Sequence, residues 1–177
     1  LKAEGIPFTS FRPTYIYGPG NYNPIEKWFF DRIVNGRSIP VPFDGQTITQ
    51  LGHVSDLAEA ISKSIETEKA INQIYNCSGS KAVTFKGLIE TAILATGNNV
   101  SDFNLRSFDP SKLDPKARKL FPLRLTNFFT DTNKIKKDLS WEPKFDLLNG
   151  LVDSYKNDYL LVNQEKIDFS SDDLLFD

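Results

Sequence analysis

Phe11-Arg12-Pro13-Thr14-Tyr15-Ile16-Tyr17-Gly18-Pro19-Gly20 is an extended segment that runs into a turn. Just upstream, Ile6-Pro7-Phe8-Thr9-Ser10-Phe11 has the short apolar run of a buried strand. Pro13 lacks the N–H that a ladder needs, so pairing is predicted to stop near Arg12. Gly18-Pro19-Gly20 sets two permissive residues around one fixed φ, which marks a loop. In an open parallel sheet, ligands bind outside the carboxyl ends of the strands, so a site is expected at this loop. A strand in such a sheet also needs a neighbour on each side, and few other segments here could supply one. The strand over residues 6–11 is therefore expected to pair with further N-terminal sequence or to self-associate. In the same vein, Leu1-Lys2-Ala3-Glu4-Gly5 reads as the last turn of a helix with Gly5 as its stop, and there is no initiator Met. The chain is expected to begin within a longer protein.

Downstream, Asn21-Tyr22-Asn23-Pro24 is a second turn, and Pro24 suits the start of a helix from Ile25 to Val34 that Gly36 closes. Thr47-Ile48-Thr49-Gln50-Leu51 alternates like a half-buried strand. A helix from Leu57 to about Thr67 follows, with Asp56 in its first turn, where the dipole favours a carboxylate. Gln73 to Cys77 and Phe103 to Arg106 are strand candidates. Thr84 is placed to cap a helix ending at Gly97, Asp131 one ending at Leu139, and Asp146 the last one. On that last helix Leu147, Leu151, Tyr155 and Tyr159 recur at i+4 with Leu148 and Val152 alongside, which predicts a core face. From Asp168 onward four Asp stand without a basic residue, and this tail reads as mobile or loosely docked.

With 40% hydrophobic residues and 14 Phe, the 177-residue chain can build a sizeable core. A net charge of −2 argues against nucleic-acid binding by bulk charge alone. The single Cys77 excludes an internal disulfide and a cysteine metal cluster, and the single His53 excludes a multi-histidine zinc site. No apolar run approaches the roughly 18 residues needed to span a bilayer, so no membrane partner is expected.

The segments RPTYIYGPG (12–20), NGRSIPVPFDG (35–45), HVSDLAEAI (53–61) and LSWEPKFDL (139–147) resemble the extended short-chain dehydrogenase/reductase superfamily, the NAD-dependent epimerases and dehydratases, in order and spacing. The resemblance implies an α/β fold: the C-terminal part of a Rossmann-type extended short-chain dehydrogenase with its smaller α/β substrate-side domain. Residues 1–20 are then the last part of the Rossmann-like sheet and its strand-end loop. Residues 21–165 are mostly the substrate-side domain with returns to the Rossmann part, and residues 166–177 an acidic tail. The glycine-rich dinucleotide loop and the Tyr-x-x-x-Lys pair of the family would lie upstream. The resemblance implies Pro13, Thr14 and Tyr15 as the positions nearest a nicotinamide. No cofactor is expected for this chain alone, while a complete protein of the family would be a candidate for NAD(P).

Three positions depart from the sugar-nucleotide enzymes. The family has Asn at the position of Tyr15, Arg-Asp at Thr49-Gln50, and Arg-Pro-Gly-Asp at Phe121-Pro122-Leu123-Arg124. Thr cannot replace a bidentate phosphate clamp, because it has neither charge nor fork. Four blocks instead resemble the chloroplast stem-loop-binding proteins of plastids and cyanobacteria: residues 21–30 (NYNPIEKWFF), 49–54 (TQLGHV), 121–129 (FPLRLTNFF) and 150–155 (GLVDSY). That resemblance implies RNA stem-loops as partners, endoribonuclease activity in some members, and a plastid stroma or a cyanobacterial cytoplasm. Nucleotide-sugar chemistry and a non-catalytic structural role in an assembly are the alternatives.

Residues 112–124 carry Lys112, Lys116, Arg118, Lys119 and Arg124 against Asp114, so 5 − 1 gives a local charge of +4. Such a run is either a solvated face or a phosphate-binding one. Lys116, Arg118, Lys119 and Arg124 are the candidate RNA contacts, and Asn21, Tyr22 and His53 the candidate pocket residues. His53 has an alternative as a histidine bonded at a helix start, and Asp56 reads as a helix-terminal charge rather than a metal ligand. Among Trp28, Phe29 and Phe30, core packing is expected of at least two. The same applies to one of Phe128 and Phe129. Cys77 has no nucleophilic role.

Overall fold

The computed structural model describes residues 4–162 and 167–176. The first strand, β1, spans Thr9–Pro13, and β2 follows as Tyr15–Tyr17. The chain continues through α1 (Ile25–Val34), β3 (Ile39–Pro42), β4 (Ile48–Thr49), β5 (Leu51–His53) and α2 (Val54–Ile65). Then come β6 (Gln73–Cys77), β7 (Val83–Thr84), α3 (Phe85–Ala95), β8 (Leu105–Phe108), α4 (Asn133–Leu139), α5 (Leu147–Ser154) and the short α6 (Ser170–Asp173). The architecture is a partial α/β fold of the Rossmann type, with three parallel strand pairs and one antiparallel pair among the described residues.

Pro13 does not stop its strand. β1 runs parallel to β6 with Pro13 opposite Cys77, and the next N–H, that of Thr14, donates to the Cys77 carbonyl at 3.3 Å. Donors alternate sides along a parallel strand, so the missing proline N–H falls on the edge facing away from β6 and costs that ladder nothing. The strand also starts later than its apolar run suggests. Its partner begins only after Asn72, which turns with φ 60° and donates to the Phe8 carbonyl. Ile6, outside the ladder, is 49% exposed. The predicted helical turn at the N-terminus lies partly outside the described residues, and Gly5 has φ 67°.

At Thr14 the extended segment changes partner, and β2 runs parallel to β5. One bent stretch is thus flanked by β6 over its first half and β5 over its second. The single strand expected over residues 47–51 is interrupted at Gln50, whose side chain bonds the Gly79 carbonyl and the Thr130 N–H. β4 before the break pairs with β7, and β5 after it with β2. β8 lies two residues beyond its expected place because it is held in register by β3, with Ile39 opposite Leu105.

The caps follow the side chains that compete for helix N–H groups. Thr84 accepts the Gly87 N–H and Asp146 the Asn149 N–H, each supplying one orphan donor of its helix. Asp131 sits one residue further out than expected: Thr132 is the cap position of α4, and Asp131 accepts the Asn133 N–H.

Two cores result. Phe29, Phe30, Phe85, Ile89, Ile93 and Leu151 form the centre of the larger one, between α1, α3 and α5. Each such side chain contributes about 1.5–3 kcal/mol on burial. The smaller core joins Ala60, Tyr75, Cys77, Ile135, Leu139 and Trp141 beneath α2 and α4. α5 runs into a wider π-helical turn over Tyr155–Tyr159, and Leu151 and Tyr159 are buried as its pattern predicts. Leu148 is not: it is 41% exposed, one position off the stripe. The acidic tail, expected to be loose, is docked over residues 167–176. Leu175 is buried and Asp172 pairs with Arg32 on α1.

Candidate nucleic-acid interface

The ends of β1, β2 and β6 form a floor whose polar groups face one another. The Thr14 and Ser78 hydroxyls are hydrogen-bonded to each other. Gln50 is buried between the Gly79 carbonyl at 2.7 Å and the Thr130 N–H at 2.8 Å. Gly79 is required at this junction, because a Cβ there would stand 2.4 Å from the Leu51 carbonyl oxygen. Thr49 is 1% exposed, and its hydroxyl has no hydrogen-bond partner among the described residues.

Residues 121–130 close over this floor. The Arg124 N–H donates to the Tyr15 hydroxyl at 2.7 Å, the Phe128 ring meets the Tyr15 ring edge-on, and the Phe128 N–H donates to the Ile48 carbonyl. The Arg124 guanidinium lies 4.4 Å from the centre of the Phe128 ring, on the surface. Phe129 beside it is 60% exposed, so one of the two Phe is packed and the other offered to solvent. A guanidinium over an aromatic face, with a further exposed ring in the same segment, can stack an unpaired base.

The basic run precedes this segment. Asp114 accepts the N–H groups of Lys116 and Ala117, which starts a tight turn over Ala117–Leu120. Those bonds hold the Asp114 carboxyl below its ordinary range. Arg118 braces the same turn, its guanidinium donating to the Leu113 and Ser111 carbonyls. Lys112, Lys116 and Lys119 are exposed, and Lys112 and Lys116 border an open depression of about 500 Å³ with Leu113, Ala117 and Leu174. Lys134, further on, bonds Gln73 and the Ile74 carbonyl, and Lys136 pairs with Glu142 at 3.6 Å.

The candidate pocket residues are not brought together. Tyr22 is 99% exposed. Asn21 donates to the Ile16 carbonyl and borders a cavity of about 180 Å³ with Glu26, Phe30, Ser154 and Tyr159. His53 is 1% exposed, stacked on Phe145 at 3.8 Å, and caps α2 by accepting the Ser55 N–H through Nδ1. Its Nε2 faces Asp153 at 3.3 Å without the alignment of a hydrogen bond. Burial lowers its pKa despite that neighbour, so it is a neutral structural histidine at pH 7.

Asp56, buried, accepts the Lys144 and Phe145 N–H groups, and the Asp56 carbonyl takes the Trp141 indole N–H. That clamp was legible only as a helix-terminal charge. The Cys77 thiol is pushed up to about 12 by burial, with the Asp56 charge adding, which leaves it inert. Among the described residues no group of three His, Cys, Asp or Glu could hold a metal ion.

Residues 1–78 match the family model of the NAD dependent epimerase/dehydratase family. The match covers 78 of the 177 residues and ties the first part of the chain to that family. It is 44% identical to the chloroplast stem-loop binding protein of 41 kDa b of Arabidopsis thaliana over 176 residues, which is 99% of this chain and 46% of that protein. It is 29% identical to the probable GDP-L-fucose synthase 1 of Oryza sativa subsp. japonica, over 86% of this chain and 45% of that one. UDP-glucuronic acid 4-epimerase from Bacillus cereus, solved with UDP-glucuronic acid and NAD, superposes with a TM-score of 0.72 at 17% identity, over 91% of this chain and 48% of that one. The chain spans just under half the length of these relatives. No helix among the described residues is long and apolar enough to cross a membrane.

Pro13, Thr14 and Tyr15 stand at the positions where the resemblance expects a nicotinamide. Thr14 is bonded to Ser78, Tyr15 to Arg124, and Pro13 has no donor to give. At the positions where the resemblance expects a diphosphate clamp, Thr49 and Gln50 are buried and carry no charge.

Proposed function

We propose that the chain supplies an RNA-contacting face to a stem-loop-binding member of the epimerase/dehydratase family, acting in a plastid. The observation that carries this reading is the closed strand-end floor. The positions at which sugar-nucleotide relatives are expected to offer Asn, Arg and Asp carry Tyr15, Thr49 and Arg124. The Tyr15 hydroxyl bonds the Arg124 backbone, and Thr49, 1% exposed, pairs beside Phe128. A diphosphate entering there would lose water and find no charged donor on Thr49, a cost of several kcal/mol.

The same segment turns charge and an aromatic ring outward. Lys112, Lys116 and Lys119 suit the backbone phosphates of a stem, while Arg124 on Phe128 and the exposed Phe129 suit the unstacked bases of its loop. Structured RNA is recognised in these two ways, by phosphate and sugar contacts on the duplex and by stacking of splayed bases. The identity to the Arabidopsis stem-loop binding protein over 99% of the chain supports the same partner. RNA cleavage is not part of the proposal, because the one histidine is enclosed behind Phe145. A dinucleotide in the whole protein would rest on residues outside these 177.

Titration of the full-length protein with a labelled RNA hairpin tests the reading. The expected result is saturable binding that unlabelled hairpins compete away and UDP-sugars do not. Displacement by a UDP-sugar at micromolar concentration, or no hairpin binding, would overturn it.

A further inference from the structure

Residues 167–176 contain Asp168, Asp172 and Asp173 and no basic residue, and they lie across arginines. Asp172, 4% exposed, grips the Arg32 guanidinium through Nε at 3.1 Å and through Nη2. The Arg32 guanidinium in turn lies over Trp28, 3.4 Å from its ring centre. The Phe169 ring is 5.2 Å from the Arg37 guanidinium, and the Phe176 ring 3.8 Å from that of Arg106. Arg37, Arg106, Asp172, Asp173 and Phe176 border one cleft of about 280 Å³. Leu175 is buried as the anchor, and Leu174 reaches the depression that Lys112 and Lys116 border.

An apolar plug could dock here as stably as a buried ion pair, whose desolvation cost offsets much of its attraction. What the carboxylates add is chemical: a carboxylate in the fork of a guanidinium makes the paired contacts that a phosphate makes. The segment that lies on these arginines also reaches, through Leu174, the depression that Lys112 and Lys116 border. We propose that residues 167–176 are an internal mimic of a phosphate backbone. They cover Arg32 and lie against the exposed Arg37 and Arg106, and the three arginines form a second anion-binding surface that takes RNA phosphates in full when the segment is displaced. The inference rests on the RNA-binding reading for its ligand but not for its geometry.

The test uses the full-length protein in two altered forms, one lacking residues 167–177 and one carrying Asp172→Asn with Asp173→Asn. The probes are a labelled RNA hairpin and inorganic polyphosphate, each titrated at several salt concentrations. Both variants are expected to bind the hairpin about tenfold tighter, with a salt slope steeper by about one to two units, one unit for each further phosphate neutralised. Adding Arg37→Glu and Arg106→Glu to the Asn variant should reverse the gain. If the deletion unfolds the chain, as circular dichroism would show, the Asn variant decides. Unchanged affinity and slope for both probes overturn the inference and leave the RNA reading standing. A gain for polyphosphate with no hairpin binding by any form supports the covered surface and removes the RNA reading.

Discussion

The Tyr15 hydroxyl accepts the backbone N–H of Arg124 at 2.7 Å, across 109 residues of sequence. This bond ties the strand-end floor to the segment that closes it. It also fixes the backbone from which the Arg124 side chain reaches Phe128. The end of the basic run at Arg124 is thereby fastened to the strand-end floor.

Replacing Tyr15 with Phe removes that acceptor and little else. We expect a loss of about 1 kcal/mol in urea denaturation. Proteolysis of the folded protein within residues 121–128 should also speed up. Wild-type stability and wild-type cleavage there would mean that the bond does not hold the segment.

Asp56 holds two N–H groups of the 144–145 turn on its carboxylate. Asp56→Ala leaves both donors without a partner, which should cost about 3 kcal/mol. Asp56→Asn keeps one acceptor and should cost clearly less. Equal losses in the two variants, measured by chemical denaturation, would argue that packing rather than the hydrogen bonds matters.

Gly150 faces Tyr17. A Cβ on it would stand 2.0 Å from the Tyr17 hydroxyl oxygen, closer than any real contact. Gly150→Ala should therefore destabilise by about 1–3 kcal/mol through overpacking, against the roughly 1 kcal/mol that Ala favours in a helix. Tyr17→Phe in the same chain should restore part of the loss. A gain in melting temperature for Gly150→Ala alone would contradict the geometry.

Glu26 is 2% exposed, and its Oε1 accepts from the Gly18 N–H and the Ser154 hydroxyl, while Oε2 has no partner among the described residues. Burial raises its pKa despite those bonds. The folded chain therefore holds this proton more tightly than the unfolded chain. Stability from this group is full below the ordinary value of about 4.3 and falls as pH rises through the raised value. Glu26→Gln keeps an acceptor for both donors, so stability at pH 7 should rise and the fall above pH 4.3 should shrink. The check is denaturation midpoints from pH 4 to 8, and identical pH profiles would refute it.

Local chemistry was readable where one side chain meets the backbone nearby. Thr84, Asp146 and the glycine after α3 mark helix ends in the sequence because a cap is settled within a few residues. The strand pattern was readable in kind but not in place. The ladder of β1 begins where Asn72 turns its partner, and a sequence window around Ile6 carries no trace of that. The candidate site was the least legible. Arg118 counts as charge in the sequence but spends its guanidinium on two carbonyls, and Asp172 looks like a solvated tail residue until Arg32 is found beneath it. Both facts depend on contacts that composition cannot encode.

The most direct measurement is hairpin affinity of the full-length protein across a salt series, wild type against Lys112→Glu, Lys116→Glu and Lys119→Glu combined. A lysine that neutralises a phosphate releases a counterion, so removing it should flatten the slope of log affinity against log salt by about one unit. We expect weaker binding by a similar factor for hairpins of unrelated sequence, with a slope flatter by two to three units, about one per lysine replaced. Unchanged affinity and unchanged slope would return the run to an ordinary solvated face and contradict the proposed function at its centre.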